Sequence, residues 1–201
     1  MVFFYFFAAG AYVVFYFPRI YTDIHMKLYF LRHGESEANF DGLMTGQLDV
    51  LLTDTGRGQA ISAGERIKAE GIPVDMIIAS PLVRARETAR LVASVIGYDD
   101  AKVIETPLIM ERFFGTLQGK KKVEMEPVTE EMIIKAGAET DEAIYERAQE
   151  ALRFIKQQGG ETVLVVSHTG FGRRLRAVVD GVEPDLEQGF KNADLTYLGE
   201  V

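Results

Sequence analysis

The chain predicts an α/β domain with helices on both faces of a mostly parallel sheet. From Met26 onward, short apolar runs of strand length alternate with longer segments of helical periodicity, and no linker, repeat or low-complexity tract interrupts them. Lys27 to Leu31 reads as a buried strand. Asp54 to Glu70 reads as a helix, with Ile61 and Ile67 among small and charged residues and Gly71-Ile72-Pro73 as its stop. Asp75 to Ala79 is the next strand, Val83 to Ile96 the next helix, and Lys102 to Glu105 a candidate third strand. Asp141 to Gln158 carries Ile144, Ala148, Ala151, Leu152 and Ile155 at helical spacing and ends at Gly159-Gly160. Thr162 to Ser167 is a β-branched apolar strand. Thr169 and Gly170 then open a helix marked by Leu175, Val178 and Val179, and Leu195 to Leu198 forms a short final strand.

With 201 residues, 47% hydrophobic and 26% charged, the chain can bury a full core as one domain. Acidic residues outnumber basic ones, 30 to 22, for a formal net charge of −8. That balance argues against a nucleic-acid partner, while a local cationic pocket can still gather a phosphorylated substrate. The absence of cysteine excludes disulfides, thiolate metal sites and cysteine nucleophiles together.

Residues 1–25 differ in kind. Val2 to Phe17 carries no charge and is crowded with Phe and Tyr before Pro18-Arg19 interrupts it. This run is short of the roughly twenty residues of a membrane helix, and no basic segment precedes it as in a secretory signal. Three readings stay open: a non-native start with Met26 as the initiator, an apolar helix packed on a partner or membrane, or a cleaved signal. The expected division is thus 1–25 as an extension and 26–201 as the functional domain, in the cytoplasm. If the extension anchors the chain, Arg19 and Lys27 favour a cytoplasmic catalytic domain, and residues 1–25 are the only route to a membrane.

The chemistry concentrates where strands end. Arg32-His33-Gly34-Glu35-Ser36 follows the first strand, Ser80 to Ala89 with Arg84 follows the second, and His168-Thr169-Gly170 follows Ser167. Glu111-Arg112-Phe113-Phe114-Gly115 adds a carboxylate beside a glycine turn. A neutral imidazole can attack phosphorus and hold the phosphoryl group on nitrogen, and guanidinium groups match phosphate oxygens. This set therefore suits phosphoryl transfer through His33, with Arg32 and Arg84 neutralising the phosphate and lowering the His33 pKa. His168 would donate to the same group, and the N–H groups opening the helix after it would add a partial positive field. Glu111 is the candidate acid for the departing alkoxide and later the base for water, unless it is a surface glutamate paired with Arg112.

Rival motifs fail on spacing. Gly170-Phe171-Gly172-Arg173-Arg174-Leu175 lacks the third glycine of a dinucleotide fingerprint, and Gly115 to Lys120 lacks the spacing and the following Ser or Thr of a P-loop. His25, His33 and His168 show no paired-ligand spacing, so neither metal nor cofactor is expected, and His25 reads as a linker residue.

Taken together, Arg32 to Asn39, Thr45-Gly46-Gln47-Leu48-Asp49 with Leu52-Thr53 and Gly56, Ser80 to Ala89, Glu111 to Gly119 and Val166 to Gly170 resemble the histidine phosphatase superfamily, which includes the cofactor-dependent phosphoglycerate mutases and many small phosphatases. The resemblance runs from Lys27 nearly to the C-terminus. It implies a phosphoglycerate mutase-like three-layer α/β/α sandwich, commonly with one antiparallel edge strand. It also implies a phosphate contact for Asn39, which by itself could equally cap a turn. Thr45 and Gly46 resemble a substrate-facing pair, Lys122 best matches a substrate-binding lysine, and Thr169 joins the binding set beside His168. Arg173, Arg174 and Arg176 read as solvated or locally paired helix residues.

The mutases carry a long insertion after the Glu111 region that supplies further basic residues. Here Val123 to Ala138 holds no arginine and one lysine, Lys135. The expected activity is therefore hydrolysis of a phosphomonoester or a phosphorylated side chain at a more open site. A phosphoglycerate mutase and a non-catalytic phospholigand-binding domain are the alternatives, and the oligomeric state stays open.

Overall fold

The computed structural model describes residues 3–8, 11–16, 25–124, 127–187 and 189–201. Near the N-terminus, β1 (Phe3–Ala8) and β2 (Ala11–Tyr16) pair antiparallel as a two-stranded sheet of their own. The helix considered for this segment is thus replaced by strands, as its aromatic and β-branched content favours. The Pro18-Arg19 interruption lies outside the described residues. Among the described residues, no helix is long and apolar enough to cross a membrane.

The principal sheet contains β3 (Lys27–Arg32), β4 (Met76–Ala79), β5 (Ile104–Glu105), β6 (Thr162–Ser167) and β7 (Leu195–Glu200), in the order β5-β4-β6-β3-β7. All pairings are parallel except β3 with the edge strand β7. Every residue of β6 is buried, which explains its unbroken apolar sequence. The candidate strand from Lys102 shrinks to two residues, because Asp100–Lys102 forms a 3₁₀ turn capped by the Asp99 side chain.

Alternation along the strands divides the core. Leu28, Phe30, Val163 and Val165 face α5 (Asp141–Gln158) and α6 (Thr169–Asp180), through Ala148, Ala151, Ile155, Phe171 and Leu175. Leu31, Ile77, Leu164 and Val166 face α2 (Asp54–Ala69) and α3 (Val83–Ile96), through Ala63, Ile67, Ala89 and Val92. Burial of each large aliphatic or aromatic side chain contributes about 1.5–3 kcal/mol. The result is the three-layer α/β/α sandwich.

Two short helices had no periodic signal: α1 (Glu37–Phe40) and α4 (Glu130–Lys135). The second packs Ile133 and Ala136 with Met44 and Leu117 in a small cluster beside the sheet's carboxyl end. Close approach also decides how α6 sits. A Cβ on Gly172 would overlap the Phe30 ring and press on Phe190, so this glycine lets α6 lie directly on β3.

Candidate active site

The carboxyl ends of the three adjacent parallel strands β4, β6 and β3 gather the predicted residues. The His33 N–H donates to the Ser167 carbonyl at 2.9 Å, tying the exits of β3 and β6 together. Gly34 allows the next turn to pass close to α2, since a Cβ there would overlap the Gly56 carbonyl.

His33 is 4% exposed. Its Nδ1 lies 2.7 Å from the Gly34 carbonyl oxygen, which can only accept, so Nδ1 carries the proton. Nε2 lies 3.2 Å from Nε of Arg84, whose N–H donates. Both contacts select the same neutral tautomer, with the Nε2 lone pair turned to Arg84. His168 is fully buried, its ring centroid 5.1 Å from that of His33, with Nε2 2.8 Å from the Ser80 hydroxyl. Burial, followed by the charges of Arg84 and Arg32, holds His33 well below the usual histidine pKa. Burial and Arg84 do the same to His168. The two arginines lower the His33 pKa as the sequence suggests, and loss of water is the larger cause.

Arg84, in the first turn of α3, is 1% exposed. It donates from Nη1 to the Leu48 carbonyl at 2.8 Å and from Nη2 to the Gly46 carbonyl at 2.7 Å. Burial lowers its pKa to about 10, which leaves it cationic at neutral pH. Arg32 donates to the Phe190 carbonyl at 2.8 Å and to Asn39 Oδ1 at 3.5 Å, and its buried Nε has no partner among the described residues.

Glu111 follows the 3₁₀ turn Pro107–Ile109 and reaches α6. Its Oε1 accepts from the N–H groups of Arg112 at 2.8 Å and Phe171 at 3.0 Å, and its Oε2 from that of Gly170 at 3.0 Å. The N-cap residue of α6, His168, makes no side-chain cap bond, so Glu111 caps this helix from another segment. Two of the amides expected to support a phosphoryl group are therefore bound to Glu111. The Arg112 guanidinium turns away from that carboxylate, to Asp141 at 3.1 Å and the Glu139 carbonyl at 2.7 Å.

Asn39 takes the capping role and lies in the pocket that Arg32, His33, Arg84 and Glu111 also line. It closes a capping box with Ser36 at the start of α1 and also accepts from Arg32. Thr45, Gly46, Lys122 and Thr169 line that pocket too, which encloses about 680 Å³. Arg173, Arg174 and Arg176 are not alike. Arg173 lines the pocket and Arg174 is 4% exposed and paired with Asp141, whereas Arg176 pairs with Asp180 at 3.7 Å.

Sequence reasoning missed the segment that closes the site from the C-terminal side. Asn192 Nδ2 donates to the His33 carbonyl at 3.0 Å and to Asn39 Oδ1 at 3.3 Å, next to Ala193, whose φ is 50°. A lone asparagine before a strand reads as a turn residue, so its spacing carries no signal.

A family model described as the histidine phosphatase superfamily (branch 1) matches residues 28–199. A 2,3-bisphosphoglycerate-dependent phosphoglycerate mutase from Bartonella henselae is 40% identical over 98 residues, 49% of this chain and 48% of that protein, so the chain spans about half the length of that relative. A metal-independent phosphoserine phosphatase from Arabidopsis thaliana is 34% identical over 76% of this chain and 66% of its own length. Among solved structures, a histidine-to-alanine variant of phosphoserine phosphatase from Entamoeba histolytica, in complex with phosphoserine, is 27% identical with a TM-score of 0.71, covering 88% of this chain and 94% of that one.

Proposed function

The chain belongs to the histidine phosphatase superfamily, and from this premise we propose that it hydrolyses small phosphomonoesters through a phosphohistidine formed on His33. The observation that carries the reading is the His33 tautomer, with its proton held by Gly34 and its Nε2 lone pair directed at Arg84. In this reading the substrate phosphoryl group takes the place that Nε2 now offers to Arg84, and Arg32 and Arg84 bind its oxygens. As the bond from Nε2 to phosphorus forms, the bond to the ester oxygen breaks, and Glu111 gives that oxygen a proton. His168 donates to the transferring group. Water then gives its proton to Glu111 and attacks phosphorus, releasing phosphate and restoring His33. Asn39, Thr45, Gly46, Lys122 and Thr169 complete the binding surface, and no step calls for a metal ion.

Hydrolysis is favoured over mutase chemistry by the part of the pocket lining that residues 128–142 and Leu186 contribute. Val128, Glu130, Ile133, Glu142 and Leu186 are apolar or acidic, a poor cover for a second anionic group. The names of the phosphoserine phosphatase relatives support the same choice. A cytoplasmic setting belongs to the same proposal; were residues 1–25 to anchor the chain, Arg19 and Lys27 would favour that side.

His33→Ala should lower turnover about 10⁴-fold or more with circular dichroism unchanged, since it removes the nucleophile and no core side chain. Phosphoenzyme trapped from labelled substrate should carry an acid-labile label on His33. Activity within about tenfold of the parent, or an acid-stable label on another residue, contradicts the assignment.

A further inference from the structure

Behind Glu111 lies an ion pair that the reacting groups do not touch. Arg147 on α5 and Glu139, just before that helix, have side chains 17% and 15% exposed. They meet through two bonds, Nε to Oε1 at 2.8 Å and Nη2 to Oε2 at 2.7 Å. The other N–H groups of Arg147 go to the backbone that presents Glu111: Nη1 donates to the carbonyls of Leu108 at 3.0 Å and Met110 at 2.8 Å, and Nη2 to that of Glu111 at 3.4 Å. The guanidinium carbon also lies 5.5 Å from the centre of the Phe171 ring, and the Phe171 N–H is one of the three that hold the Glu111 carboxylate. Glu139 ties the same loop, its Oε2 accepting from the Phe113 N–H at 3.2 Å. One guanidinium therefore spans the loop that carries the carboxylate and the helix end that grips it.

We propose that Arg147, oriented by Glu139, is a positioning residue that sets where the Glu111 carboxylate meets the leaving oxygen, and so governs proton transfer without governing attack by His33. This rests on the acid role assigned to Glu111 above. All five guanidinium donors are engaged, and a lysine, with three donors on one nitrogen, keeps the charge but cannot span the carboxylate and three carbonyls. The Arg147 charge also helps to lower the His168 pKa, and an arginine acting only in that way would affect every substrate alike.

The test is the pre-steady-state phosphorylation rate with glycerol 2-phosphate, whose alkoxide needs a proton, and with 4-nitrophenyl phosphate, whose leaving group does not. Parent, Glu111→Gln, Arg147→Lys, Glu139→Gln and the Glu111→Gln/Arg147→Lys double variant are compared per competent site, counted from burst amplitude, so that a misfolded fraction drops out. Misplacing the carboxylate by about 1 Å should slow the alkyl ester about tenfold to a hundredfold and the aryl ester less than about twofold. In the Glu111→Gln background, Arg147→Lys should add nothing further. Equal losses on both esters from Arg147→Lys, no loss at all, or a further loss in the double variant overturns the positioning role alone. Equal losses from Glu111→Gln overturn the acid role, and the positioning role with it. Should Arg147→Lys fail to fold, Glu139→Gln decides by the same ratio, because it removes one charge and keeps the shape.

Discussion

His33 and His168 are kept neutral by the same surroundings: no water to solvate an imidazolium, and Arg84 to repel it. Their folded pKa values lie below that of the unfolded chain, so unfolding takes up protons once the pH drops below about 6.5. Their contribution to stability is therefore complete above that pH and is lost as pH falls toward the folded pKa values, by up to about 1.4 kcal/mol per pH unit for each histidine. Urea unfolding between pH 7.5 and 5 should show a shallower pH slope for His33→Ala than for the parent; an unchanged slope would place the proton uptake elsewhere. At this scale, Arg32, His33, Arg84 and His168 were legible because strand exits and helix starts mark them. Asn192 and Arg147 were not. The carbonyls they bind lie 159 and 36 to 39 residues away in sequence, so only the folded chain gives them a task.

Among the elements, α6 carries the most consequence, since it presents His168 and is capped by a carboxylate from another loop. Its seat on β3 depends on Gly172. Gly172→Ala gains helix propensity but forces the Phe30 and Phe190 rings aside, and should cost about 1–3 kcal/mol in urea unfolding. Turnover should fall as well, because the helix end moves against Glu111; equal stability with full activity would show that the rings give way freely. The long helices were readable from their periodicity and β6 from its unbroken apolar run, whereas α1 and α4 are too short to show a period. The Lys102 strand was overestimated because the β-branched pair Val103 and Ile104 follows directly on what is in fact a 3₁₀ turn.

For the whole molecule, β3 separates the site from the start of the domain. Arg32 ends the strand at the pocket, and Met26 lies beyond its opposite end, about 20 Å away at the rise of an extended chain. A protein beginning at Met26 should therefore keep kcat/KM within about twofold of the full chain and phosphorylate the same histidine. A larger loss would give residues 1–25 a part in the site. The sandwich was visible in the order of strand and helix patterns, but the family resemblance implied only one antiparallel edge strand, and only the fold makes it β7, beside β3. That placement brings Met26 and Val201 together, joined by backbone bonds of 3.3 and 3.0 Å. A short covalent bridge between them, with the chain cut at the turn of Gly71, Ile72 and Pro73, would produce a permuted protein with the same strand neighbours and the same pocket. In it, Arg84, Glu111 and His168 would leave the ribosome before His33, and the proposed nucleophile would become the last of the four to arrive.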